Sequence, residues 1–92
     1  MKIRLEYVAQ MKDAAGLSSE VLEVPAATSV LELLQTVAKS RGERLSGLLL
    51  TATGGLRPSA LVFVGDEQFD AAEPRPLRDG DTVMVMSPLA GG

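Results

Sequence analysis

At the start of the chain, Lys2, Arg4 and Glu6 alternate with Ile3, Leu5 and Tyr7. Period two with β-branched and aromatic members predicts a half-buried strand over residues 2–8. Gln10 to Gly16 holds good helix formers and stops on glycine, which predicts a helical turn inside a connection. Glu20 to Val24 predicts a second short strand, halted by Pro25. The clearest element comes next. Ser29-Val30-Leu31-Glu32 is a capping box, in which each end side chain bonds the other residue's orphan amide. Behind it Val30, Leu33, Leu34, Val37 and Ala38 recur at helical spacing and form one apolar stripe. Lys39 and Arg41 suit the negative end of the helix dipole, and Gly42 suits a left-handed cap.

Leu45, Leu48 and Leu49 predict a second, shorter helix, with a loop from Thr51 to Ser59. Ala60 to Val64 is continuously apolar, which predicts a strand that is central or buried on both faces. Gly65-Asp66 is a hairpin turn into a short strand near Gln68-Phe69. Pro74 and Pro76 interrupt regular structure until the Asp79-Gly80 turn, which releases the last strand, Thr82 to Met86. Strand, strand, helix and three strands make an α+β layout, with one main helix packed on one face of a sheet. In the last strand, Val83 and Val85 then point to the core, and Met84 and Met86 to the opposite face. Two methionines beside the end of the strand form an adaptable apolar patch suited to binding a partner.

Composition narrows the chemistry. With 92 residues the chain is one domain, and 46% hydrophobic content is ordinary for a globular one. Cysteine and histidine are absent, which removes disulfides, zinc fingers, a cysteine nucleophile and a histidine base. No catalytic residue and no metal ligand is assigned. Gly54-Gly55 precedes Leu56-Arg57 rather than the lysine and hydroxyl of a phosphate loop, and Asp79-Gly80-Asp81 reads as a tight turn. A net charge of −3 argues against a nucleic-acid partner, which needs a basic face to displace counterions. No apolar run approaches the ~20 residues of a membrane helix, and no secretory h-region opens the chain. The expectation is a soluble, cytoplasmic protein without a membrane partner. Asp66, Glu67, Asp70, Glu73, Asp79 and Asp81 make residues 66–81 acidic; a solvated rim is the plainer reading, an acidic docking edge the sharper one.

The segment Met86-Ser87-Pro88-Leu89-Ala90-Gly91-Gly92 is unlike the rest. Pro88 holds Ser87 extended, and Gly91 and Gly92 have no side chain to pack. The expected division is a folded domain over residues 1–87 and a flexible tail over 88–92. Glycine lets a backbone enter a narrow channel, and its unhindered carboxylate can attack an ATP α-phosphate held by another protein.

Pro76-Leu77-Arg78-Asp79-Gly80-Asp81-Thr82-Val83, followed by Ser87-Pro88-Leu89-Ala90-Gly91-Gly92, resembles the C-terminal half of the β-grasp sulfur carriers. These include the molybdopterin synthase small subunit (MoaD type), the thiamine carrier (ThiS type) and a cysteine-synthesis carrier (CysO type). The first strand, the connection Met11 to Gly16, the second strand and the helix from Ser29 match the same order. Val85-Met86 and Ser87-Pro88 depart from the aromatics and paired prolines frequent in the molybdopterin type. Leu56 to Val64 also looks like the eukaryotic ubiquitin-related modifier.

The resemblance implies a ubiquitin-like β-grasp with a mixed sheet, the last strand lying parallel and adjacent to the first. It implies that an E1-like adenylyltransferase of the MoeB/ThiF type joins the Gly92 carboxylate to AMP. A sulfur donor then gives a thiocarboxylate. Pro88, Leu89, Ala90 and Gly91 would pass into the partner's active site, and Met84 and Met86 would dock it. ATP and magnesium would belong to that partner, with no cofactor bound by this chain. Without cysteine, transferable sulfur has only the terminal carbonyl to ride on. Molybdenum-cofactor synthesis, with a MoaE-type large subunit as second partner, stands first among the readings; there the chain would be the small subunit of molybdopterin synthase. A carrier for thiamine, cysteine, tRNA thiolation or a secondary metabolite, a ubiquitin-like modifier and a plain β-grasp binding module also stand.

Overall fold

The computed structural model describes residues 1–70, 72 and 75–87. Among these residues five strands and three helices run in the order β1 (Lys2–Ala9), α1 (Gln10–Ala15), β2 (Ser19–Glu23), α2 (Val30–Arg41), α3 (Glu43–Leu49), β3 (Leu61–Val64), β4 (Glu67–Gln68) and β5 (Thr82–Ser87). They form one mixed sheet in the order β2-β1-β5-β3-β4. The sheet is built around the last strand. β5 runs parallel to β1, with Leu5 opposite Val83 and Tyr7 opposite Val85, and antiparallel to β3.

Alternation decides which side chains reach the core. Ile3, Leu5, Tyr7, Val62, Val64, Val83 and Val85 project from one face and are buried together with the apolar stripes of the helices. The capping box of α2 is fully formed: Ser29 Oγ accepts from the Glu32 N–H at 3.1 Å, and Glu32 Oε1 accepts from the Ser29 N–H at 3.0 Å. That start fixes the phase of the helix and turns Val30, Leu33, Leu34, Val37 and Ala38 onto the sheet. Each such large side chain removed from water contributes about 1.5–3 kcal/mol before ordering costs. α1 ends as the sequence predicts, on Gly16 in the left-handed region.

Two expectations need correction. Gly42 is not a left-handed helix cap: its φ of 105° and ψ of 175° make it the corner shared by α2 and α3. Only glycine takes that conformation readily. The run Ala60 to Val64 forms an inner strand between β5 and β4, but the other alternative, burial on both faces, does not hold. Val62 and Val64 enter the core, whereas Leu61 and Phe63 stay half-buried on the other face. The run is continuously apolar because both faces of the sheet are apolar at this place.

A polar knot ties β1, β2 and α2 together. The Tyr7 hydroxyl donates to Glu20 Oε2 at 2.6 Å, and Arg41 Nε donates to the same oxygen at 3.2 Å. Arg41 Nη2 also binds Glu20 Oε1. Burial opposes the charge on Glu20, but the bonds from Arg41 and Tyr7 outweigh it and hold the carboxyl below its ordinary value. Burial, and then the Glu20 carboxylate, push the Tyr7 phenol well above its ordinary range. A carboxyl depressed by folding stabilises the fold above its unfolded pKa and loses that contribution as pH falls through the folded one. The melting temperature should therefore drop on acidification below about pH 4, with Glu20→Gln removing part of that slope. Tyr7→Phe should cost about 1–2 kcal/mol in denaturant titrations at neutral pH, the loss of one charge-assisted bond.

Candidate functional site

Where β5 ends, both neighbours end with it. Ala9, the last residue of β1, lies opposite Ser87, and Leu61, the first of β3, lies opposite Met86. Ala9 itself has φ 55° and ψ −126°, a sharp reversal that sends the chain into α1. Ser87 is thus the last residue of the described ladder, and neither neighbouring strand extends past it.

The uncovered face of the sheet carries an apolar patch at this end. Met86 sits in register between Val8 and Leu61, and Met84 between Glu6 and Phe63. All five apolar side chains, Val8, Leu61, Phe63, Met84 and Met86, are half-buried. Strand polarity puts the polar positions at the opposite end: Arg4 lies opposite Thr82, and Arg4 Nε pairs with Glu6 Oε2 at 3.1 Å. Beside Leu61 the patch runs into an open concavity of about 560 Å³ lined by Leu56, Arg57, Pro58 and Phe69 among others. The surface offers flexible methionine and aromatic contact area beside Ser87, the last described residue.

The structure thus places Met84 and Met86 on one face, as alternation predicts. It adds Val8, Leu61 and Phe63, which sequence reasoning missed although the continuous apolar run at Ala60 to Val64 carried the signal. Pro88, Leu89, Ala90, Gly91 and Gly92 lie outside the described residues, as does Glu73 of the acidic rim. Within that rim the turn aspartates are occupied by the backbone. Asp79 Oδ1 accepts from the Lys2 N–H at 2.7 Å, and Asp81 Oδ2 from the Arg78 N–H at 2.9 Å. Arg75 pairs with Glu67 at 3.3 Å. Among the described residues no group of His, Cys, Asp or Glu converges as metal ligands, and no helix is long and apolar enough to cross a membrane.

The sequence profile of the ThiS family matches residues 5–92. Among solved structures, Urm1 from Trypanosoma brucei is 28% identical and superposes with a TM-score of 0.80, covering 99% of this chain and 95% of that one. A protein described as a molybdopterin converting factor subunit 1 from Pyrococcus furiosus is 25% identical, with a TM-score of 0.75 and coverage of 97% and 99%. A chain of the Amycolatopsis orientalis BexX/CysO complex is 25% identical, with a TM-score of 0.67 and coverage of 98% and 99%. A search of curated protein sequences gives no significant match. The β-grasp architecture is common to these structures and this chain.

Proposed function

The chain belongs to the ThiS family of ubiquitin-like β-grasp sulfur carriers and modifiers, and on that premise we propose that it carries sulfur on the carboxylate of Gly92. A Gly92 carboxylate oxygen attacks the α-phosphorus of ATP, the bond to the β-phosphate breaks, and pyrophosphate leaves. Hydrosulfide released by a sulfur donor then attacks the acyl carbon, AMP departs with the electrons of the C–O bond, and the S–H proton is lost to solvent. The product is a thiocarboxylate. The protein supplies the reacting carboxylate and its positioning, while an E1-like enzyme of the MoeB/ThiF type supplies ATP, magnesium and the catalytic groups. In this proposal Pro88, Leu89, Ala90 and Gly91 enter that active site, with Gly91 as the slender link before the reacting residue.

The observation that carries this reading is the apolar face at the end of β5. Val8, Leu61, Phe63, Met84 and Met86 lie at the Ser87 end of β5, so a partner seated there is adjacent to the residues that lead to Gly92. The Pyrococcus furiosus similarity favours molybdopterin synthesis, with a MoaE-type subunit accepting the sulfur. The similarity to a chain of the BexX/CysO complex supports work with a partner other than a MoaE-type subunit. The Urm1 similarity supports the alternative of a ubiquitin-like modifier.

All three uses begin with the same adenylation. An ATP–pyrophosphate exchange assay with a MoeB/ThiF-type enzyme should show exchange that depends on this chain. Exchange that is unchanged on adding the chain would contradict the proposal.

A further inference from the structure

β2 is the outer strand beside β1, and at five residues it is the longer free edge, since β4 at the far side has two. Its outward groups can be read from the ladder. Met1 and Val24 exchange both backbone bonds, at 2.7 and 2.9 Å, and the Tyr7 N–H donates to the Ser18 carbonyl. Antiparallel pairs alternate between bonded and non-bonded. Ile3–Leu22 and Leu5–Glu20 are therefore the bonded pairs, and the N–H and C=O of Ser19, Val21 and Glu23 point away from β1.

Edges are usually blunted by proline, lysine, a bulge or brevity. β4 is short and its two residues, Glu67 and Gln68, are polar and exposed. β2 has no proline, no lysine and no bulge in its register with β1; of its two charges, Glu20 is engaged by Tyr7 and Arg41, and Glu23 is exposed. At its centre stands Val21, 61% exposed, the one large apolar side chain among the described residues in that condition.

We propose that β2 is a self-association edge, on which two copies of this chain pair antiparallel about a two-fold axis through Val21. The sequence of the edge is complementary to itself in that register. Val21 meets Val21 of the second copy, a β-branched cross-strand pair, and Ser19 meets Glu23, each facing pair exchanging both main-chain bonds. Charge fixes the register further. Ser19 Oγ accepts from Arg4 Nη2 at 3.3 Å, so Arg4 stands beside the place that Glu23 of the second copy takes. Arg4 Nε is engaged by Glu6 at 3.1 Å, which leaves Nη1 for that carboxylate. A slip by one residue would bring the wrong faces together, and a slip by two would part both ion pairs. β1 separates β2 from β5, so the paired form leaves the Met84–Met86 face open on both copies. The inference stands independently of the carrier reading.

Sedimentation equilibrium over a range up to about 1 mM chain tests it. The wild-type mass should rise with concentration from 9.7 kDa toward twice that value. Val21→Pro removes an outward amide and no bond to β1, so it should stay at the single-chain mass. Glu23→Arg places a second cation beside Arg4 and should do the same, while leaving the backbone edge intact. Adding Arg4→Glu to Glu23→Arg should restore the paired form, with thermal unfolding confirming that each variant is folded. A wild type that remains single at every concentration overturns the proposal, even if it captures an added extended peptide. So does pairing that persists in the folded Glu23→Arg variant.

Discussion

Deletion of Gly92 is expected to leave the thermal unfolding of the protein unaltered and to lower the yield of activated C-terminus at least about a hundredfold. One residue of extended chain spans about 3.3–3.6 Å, so the deletion withdraws the carboxylate by that distance from the phosphorus it must attack. Misplacement of a reacting atom by even about 1 Å can cost two orders of magnitude. Adding a residue after Gly92 should fail equally, because it converts the reacting carboxylate into an amide and pushes a new one past the nucleotide. Gly91→Val should fail for a different reason, obstruction of a narrow channel by a branched side chain. Among the described residues the apolar core ends at Val85, ahead of every position changed here. Intact-mass analysis of the variants after incubation with enzyme, ATP and sulfur donor reads the effect. A Gly92-deleted chain that still acquires transferable sulfur would remove the carrier mechanism.

Met86→Asp is expected to weaken the adenylating partner's affinity by about thirtyfold or more, the scale of a central apolar contact replaced by a charge. Met86 is the better target of the two methionines because its register neighbours, Val8 and Leu61, are both apolar. Met84 has Glu6 on one side and Phe63 on the other, so a carboxylate there meets existing polar surface as well. The melting temperature should change little, since the residue is half-buried on the uncovered face and its loss opens no cavity in the core. Val85→Asp, one residue away and fully buried, should instead abolish folding. Binding titration and thermal unfolding of the same preparations separate the two faces. Equal loss of stability in Met86→Asp would assign that side chain to the core.

Local signals in the sequence were strong where short-range chemistry decides the structure. The Ser29/Glu32 box, the stripe from Val30 to Ala38 and the stop at Gly16 all depend on neighbours within a helical turn or two, and each formed as its residues dictate. The parallel pairing of β1 with β5 joins residues nearly the whole chain apart. No periodicity encodes that, and it came from likeness to a family. Leu61 and Phe63 were misplaced because an apolar run has the same appearance whether its second face meets a helix or an open docking surface. The knot of Tyr7, Glu20 and Arg41 was not legible at all. Its three residues look like ordinary surface and strand positions until β1, β2 and the end of α2 are brought together. Of the site, the methionines followed from alternation alone, and their three apolar neighbours required the register.

Sulfur carriage on the carboxylate of Gly92 is what we propose for this chain. Its most direct test is the intact mass of the chain after incubation with a MoeB/ThiF-type enzyme, ATP, magnesium and a sulfur donor. A mass increase equal to the replacement of one oxygen by sulfur is expected, located by fragmentation to Gly92 and absent when ATP is omitted. An unchanged mass under conditions where the enzyme activates an authentic carrier, or sulfur located at any other residue, would contradict it.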